Sequence, residues 1–163
     1  MTSPWIASLL AIFVWWFATG AILVAVRRAD RLGTHGMTTF MGLPLLALGV
    51  WGVAVSLADA SVTGAYIGFA GALAIWGWIE LAFLAGIITG PVRDDCPPGL
   101  SGRDRFFRAF QTVAYHELGL VLGLWGLVIA SEGAANRIAL ATYLVLFLAR
   151  ILAKLNLYFG VPR

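Results

Sequence analysis

The chain has 163 residues, of which 61% are hydrophobic and 12% charged, with a mean hydropathy of +0.90 and a formal net charge of +3. A soluble domain carries about 25% charged residues, so this chain cannot cover a globular surface with polar side chains; an ordinary soluble enzyme, a disordered chain and a nucleic-acid-binding domain are excluded. Nineteen glycines and seven tryptophans suit a polytopic membrane protein instead, where Gly lets helices approach and Trp sits at interfaces.

The first 26 residues carry no charge. Trp5 to Val26 is an apolar stretch long enough to cross a hydrocarbon core of ~30 Å. Arg27, Arg28, Asp30 and Arg31 then stop it. A cleavable signal peptide places its positive charge before a shorter apolar region, so residues 5–26 read as a retained anchor with its N-terminus outside. A second span is expected over 39–58, with Pro44 in its first turns, where a missing N–H is best tolerated. A third is expected over 62–90, joined to the second by the short Asp59-Ala60-Ser61 link and ended by Gly90-Pro91. Residues 91–108 read as the longest polar loop. A fourth span is expected over 109–130 and a fifth over 138–159. The expected fold is therefore all-α: one transmembrane domain over residues 1–163, with about five spans.

Charge sets the orientation. Arg27, Arg28, Arg31, Arg93, Arg103, Arg105 and Arg108 fall in the loops after spans one and three, and only Arg137 falls in a loop on the other side. Basic residues concentrate on the cytoplasmic face. The N-terminus is expected in the periplasm, and the C-terminus and the loop 91–108 in the cytoplasm, facing anionic lipid.

Five ionisable residues lie where a bilayer disfavours them. Glu80 falls in span three, His116 and Glu117 in span four, and Arg150 in span five with Lys154 one turn below it and Asn156 nearby. At about 1.5 Å per residue, their depths agree within a turn or so. Each ion costs roughly 2.5–3.5 kcal/mol at a helix centre, so they should face the bundle interior. The simplest pairing sets Glu80 and Glu117 against Arg150 and Lys154, either as an ion-pair knot that fixes helix order or as a proton, metal or pigment site. Lys154 has the further option of snorkelling to the interface. Glu80-Leu81-Ala82 and Glu117-Leu118-Gly119 sit in similar contexts on antiparallel spans, which could bring the two carboxylates together. His116 and Glu117 are adjacent, about 100° apart on a helix, and so are expected to diverge. No metal site is assigned: two carboxylates and one His are too few for a di-iron centre, and there is no H-E-x-x-H. One His could ligate the magnesium of a chlorophyll. His35 reads as a cap or a solvated group.

The loop 91–108 mixes Arg93, Arg103, Arg105 and Arg108 with three aspartates and with Phe106 and Phe107. Arg beside aromatic side chains is the usual composition of a protein-binding hot spot, so this loop is the candidate partner-binding surface. Gly64-xxx-Gly68, Gly86-xxx-Gly90 and Gly119-xxx-Gly123 read as close-packing faces. Trp15, Trp16, Trp76 and Trp78 read as lipid-facing or packing aromatics. The lone Cys96 excludes a disulfide framework. No phosphate loop, nucleophile elbow or redox Cys pair is present.

Several strings together carry a resemblance: Ser3-Pro4-Trp5-Ile6, Trp15-Trp16-Phe17, Arg27-Arg28-Ala29-Asp30, Ala74-Ile75-Trp76-Gly77-Trp78 before Glu80-Leu81-Ala82-Phe83-Leu84, Ile88-Thr89-Gly90-Pro91, Cys96-Pro97-Pro98-Gly99, His116-Glu117-Leu118, and Ala153-Lys154-Leu155-Asn156 through Gly160-Val161-Pro162. In order and spacing the chain resembles the PuhE family of photosynthetic complex assembly proteins of purple and related phototrophic bacteria. The resemblance implies a multi-pass protein of the bacterial inner, intracytoplasmic photosynthetic membrane, made alongside the reaction-centre H subunit. Its partners would be reaction-centre and light-harvesting polypeptides in the bilayer. It would act on complex assembly or bacteriochlorophyll supply. The family brings no catalytic residues with it. Its members continue past Gly-Val-Pro into further hydrophobic segments, whereas this sequence stops at Arg163, as a short form or as part of a longer product. Two expectations follow. The first is a non-enzymatic accessory protein that binds its partners; contacts to bacteriochlorophyll or carotenoid suit that role and none is required. The second is a membrane enzyme or carrier for a tetrapyrrole, metal or ion, built on Glu80, His116 and Glu117.

Overall fold

A computed structural model describes residues 4–94 and 96–160. Ser3, Asp95, Val161, Pro162 and Arg163, which enter the reading above, lie outside the described residues, as do the side chains of Leu157 and Tyr158. Every regular element among the described residues is a helix: α1 (Pro4–Leu32), α2 (His35–Met41), α3 (Leu43–Ser56), α4 (Val62–Leu84), α5 (Gly102–Gln111), α6 (Ala114–Ala130) and α7 (Ile138–Gly160). Four stretches, α1, α2 with α3, α4, and Ile138–Asn156 of α7, are long and apolar enough to cross a membrane. The pair α5 and α6, bent by 65°, makes a fifth when taken as one span. These lengths and compositions are those of a multi-pass membrane protein.

The helices fall into two compact units. The first holds the residues up to 45 together with 77–122. Pro4 opens α1, where its fixed φ suits a first turn. The helix runs beyond the apolar stretch, through Arg27 to Leu32, because arginine does not break a helix. It stops at Gly33, whose φ of +64° admits the left-handed turn. Between α2 and α3 the chain breaks at Gly42, just before Pro44. Pro44 lies in the first turn of α3 and has no N–H with which to continue the hydrogen-bond ladder of α2. The Thr39 carbonyl oxygen at this break accepts the Gly42 N–H at 3.1 Å and the Trp78 indole N–H at 3.2 Å. A Cβ on Gly42 would lie 2.9 Å from Leu81 Cδ2, so glycine lets α2 lie against α4.

The second unit holds residues 46–76 and those from 123 onward. Here α3 and α4 cross through glycine. A Cβ on Gly49 would lie 2.9 Å from the Gly71 carbonyl oxygen, and one on Gly71 would lie 2.9 Å from that of Gly49. The link between the two helices is tied by its own side chains. Asp59 Oδ1 accepts the Ser61 N–H at 2.8 Å, and Ser61 Oγ accepts the Gly64 N–H at 3.1 Å. The Ser61 hydroxyl, followed by its backbone N–H, lowers the Asp59 carboxyl below the ordinary value. Asn136 fastens the loop before α7 to this link. Its N–H donates to the Leu57 carbonyl oxygen at 3.1 Å and its Nδ2 to the Asp59 carbonyl oxygen at 2.9 Å, while its Oδ1 accepts the Ile138 N–H at 2.9 Å. Tyr143 is fully buried, edge-on to Trp76 with ring centroids 5.0 Å apart, and lies against Gly123.

Candidate functional site

The C-terminal end of α4 builds the site in the first unit. The sequence reading ends this span at Gly90-Pro91, but the helix stops at Leu84. Gly86, at φ +75°, reverses the chain. The Gly86 N–H donates to the Phe83 carbonyl oxygen and the Ile87 N–H to that of Ala82, both at 2.9 Å. This left-handed closure takes up carbonyls that a helix end leaves open. The irregular segment 85–90 then crosses the start of α6. The Thr89 carbonyl oxygen accepts the N–H groups of Tyr115 at 3.0 Å and His116 at 3.2 Å, two donors of the first turn of α6. Gly90 lies so close to Gln111 and Thr112 that a Cβ there would collide with their backbone. The α5–α6 chain bends at this contact.

His116 is fully buried. Its Nδ1 is 3.2 Å from Glu117 Oε1, and its Nε2 is 3.7 Å from Glu80 Oε1. Their carboxylate side chains are 19% and 13% exposed. The ring of Phe83 covers the imidazole, with centroids 4.2 Å apart. The expected divergence of His116 and Glu117 does not occur, because Glu117 folds back onto Nδ1. Glu80, on α4, approaches the other nitrogen.

A neutral imidazole carries one ring proton. It can therefore satisfy only one of two flanking carboxylates, and a further proton is needed to meet both. With both nitrogens turned to carboxylates, His116 would have to give up one of these contacts to ligate a metal or a chlorophyll magnesium. Among the described residues no three of His, Cys, Asp and Glu form a metal-holding group.

The remaining cluster residues lie on α7 in the second unit. Arg150 and Lys154 are half-buried, and Arg150 Nε and Lys154 Nζ are shielded from solvent. The Lys154 ammonium therefore does not reach outward, and Asn156 is exposed.

The segment 91–108 is not wholly a loop. Residues 102–111 form α5, with Ser101 as its cap. Ser101 Oγ accepts the Asp104 N–H at 3.3 Å and donates to Asp104 Oδ2 at 2.6 Å, close to a capping box. Arg103, Arg105, Phe106 and Phe107 are exposed on α5, Arg93 is exposed in the irregular segment, and Arg108 is half-buried with Nη2 3.5 Å from the Asp94 carbonyl oxygen. The guanidinium of Arg103 lies 5.8 Å from the centroid of Phe107. Cys96 is exposed, and His35 Nε2 is 3.4 Å from Asp30 Oδ1.

The sequence reading missed Phe83, Thr89 and Gly86, which position the site. Phe83 lies three residues beyond Glu80, a spacing that places both on one helix face. Nothing in the sequence signals that the Thr89 carbonyl would cap α6.

A family model described as "Protein of unknown function (DUF3623)" matches residues 1–163, the whole chain. The chain belongs to this family. A Rhodobacter capsulatus relative, "Uncharacterized 30.4 kDa protein in puhA 5'region", is 47% identical over 165 residues. That alignment covers 100% of this chain and 60% of the relative, so the chain spans about three fifths of the relative's length. No solved structure matches the chain. The family assignment therefore covers both the Glu80–His116–Glu117 group and α5.

Proposed function

We propose that this chain is a photosynthetic-complex accessory protein of the PuhE kind, acting by binding and not by catalysis. The observation that carries the reading is the 47% identity, along the whole chain, to a Rhodobacter capsulatus protein described as lying in the 5' region of puhA. The resemblance to the PuhE family, whose members are made alongside the reaction-centre H subunit, supports the same reading. The protein works in the inner photosynthetic membrane, with its N-terminus in the periplasm and the Arg-rich α1 end and residues 91–108 in the cytoplasm. The seven-to-one distribution of loop basic residues supports this orientation. Its partners are reaction-centre and light-harvesting polypeptides.

A second reading, an ion or tetrapyrrole carrier, is favoured by the buried Glu80–His116–Glu117 group, since ionisable residues gathered inside a membrane protein mark transport and proton sites. One purification separates the two. The tagged protein is isolated in mild detergent from a phototrophic host, and its polypeptides, absorption spectrum and metal content are recorded. Co-purified reaction-centre and antenna polypeptides support the binding reading. Stoichiometric pigment or metal on the isolated chain, without those polypeptides, overturns it in favour of the carrier.

A further inference from the structure

We infer that α5 lies in the plane of the membrane interface and docks on anionic phospholipid, with Phe106, Phe107 and Phe110 in the acyl boundary and Arg103, Arg105 and Arg108 among the phosphates. Three observations converge on this. First, α6 has 17 residues, which at about 1.5 Å each comes close to a hydrocarbon core without α5. Second, α5 carries four charged residues in ten, too many for the hydrocarbon interior. It is bent by 65° from α6 across a two-residue break, so an α6 that stands upright sets α5 close to the membrane plane. Third, α5 is amphipathic and buries none of its residues. Phe106, Phe107 and Phe110 are each about half exposed, at 47%, 52% and 50%. They occupy one side of the helix by their spacing, while Asp104, Arg105, Arg108 and Gln111 occupy the other. Arg103 falls between the phenylalanines, and its guanidinium sits over Phe107, the posture of a cation reaching from an apolar face toward phosphate.

Charge selects the lipid class. α5 carries three arginines and one aspartate; Asp104 is held by the Ser101 cap, Arg103 and Arg105 are exposed, and Arg108 is half-buried with Nη2 toward the Asp94 carbonyl oxygen. A basic amphipathic helix with aromatic anchors binds the interface through apolar burial and attraction to anionic headgroups. The phenylalanines that the sequence pattern offers to a protein partner are thereby assigned to lipid. This inference does not depend on the photosynthetic reading.

The test uses the full chain in vesicles of phosphatidylcholine with 30 mol% phosphatidylglycerol. In a Cys96→Ser background, single cysteines are placed at each position from 104 to 111 in turn and nitroxide-labelled, so that every variant keeps at least two of the three phenylalanines. Accessibility to oxygen and to a water-soluble nickel chelate is then measured. The expected pattern is helical: labels at 106, 107 and 110 favour oxygen, and those at 104, 105, 108 and 111 favour nickel. In pure phosphatidylcholine, or with 0.5 M salt, the oxygen-to-nickel ratio at 106, 107 and 110 should fall at least two-fold. Uniform nickel access would show a helix in water. Labels at 106, 107 and 110 shielded from both reagents would show a protein contact. A pattern indifferent to phosphatidylglycerol would remove the arginines' role. Any of these three results overturns the proposal.

Discussion

Gly49 and Gly71 meet backbone to backbone: a Cβ on either would lie 2.9 Å from the carbonyl oxygen of the other. Real Cβ atoms do not approach so closely, and neither partner is a flexible side chain that could move aside. Gly49→Ala and Gly71→Ala should each destabilise the protein by about 1–3 kcal/mol, the usual cost of overpacking. Gly20→Ala and Gly126→Ala, where nothing lies within 4 Å, should be neutral or gain up to about 1 kcal/mol from helix propensity. Thermal unfolding in mild detergent distinguishes the two pairs.

His116 separates two carboxylates, and removing it leaves them facing each other around a cavity. His116→Ala should cost about 3–5 kcal/mol, as when a buried ionic group loses one partner. Glu80→Gln keeps the volume and a hydrogen-bonding group and should cost about 1 kcal/mol. Equal shifts in the unfolding midpoint would show that the imidazole does not hold the two acids together.

Asp59 makes the folded protein sensitive to acid. Its carboxyl is held below the ordinary value of 3.8 by the Ser61 hydroxyl and N–H. A depressed folded value means that its contribution is fully present above the unfolded value and is lost as pH falls through the folded one. Asp59→Asn keeps an oxygen acceptor and cannot titrate. The wild type should therefore melt higher than Asp59→Asn at pH 6, and the gap should close as the pH is brought down below 3.8. A gap that is constant with pH would contradict this.

Gly86 and Gly90 fail for different reasons when substituted. Nothing lies within 4 Å of a Cβ on Gly86, so Gly86→Ala meets only the left-handed backbone cost, about 1–2 kcal/mol. Gly86→Asn should recover part of this, because Asn tolerates that conformation better. Gly90→Ala meets the backbone of Gln111 and should lower the accumulated yield far more. Membrane-fraction yield and melting temperature, compared across the three variants, check the order.

The apolar spans were legible because hydrophobic length needs no tertiary information. Helix ends were less so. Two stops competed after Glu80, and the nearer one, Gly86, won because its left-handed closure caps α4 at once. The helix α5 was signalled by Ser101 and Asp104 at capping spacing, yet its charge density suggested only a polar loop. The glycine motifs were read along single helices. The tight α3–α4 crossing pairs Gly49 with Gly71, whose register depends on how two helices meet. Gly86 belongs to a turn and not to a packing face. For His116 and Glu117, the angle between Cβ directions suggested divergence, but a glutamate is long enough to fold back along its own helix.

Asn136 has a consequence for biosynthesis. It bonds the Asp59 carbonyl from 77 residues downstream, which at about 5–20 residues per second is some 4–15 s of translation. Until then the α3–α4 hairpin has emerged without its latch and is held by the Gly49–Gly71 crossing and the Asp59–Ser61 turn. A weakened crossing therefore acts during that interval, on the nascent hairpin, and is felt in how much protein is inserted before it is felt in how well the finished protein survives heating.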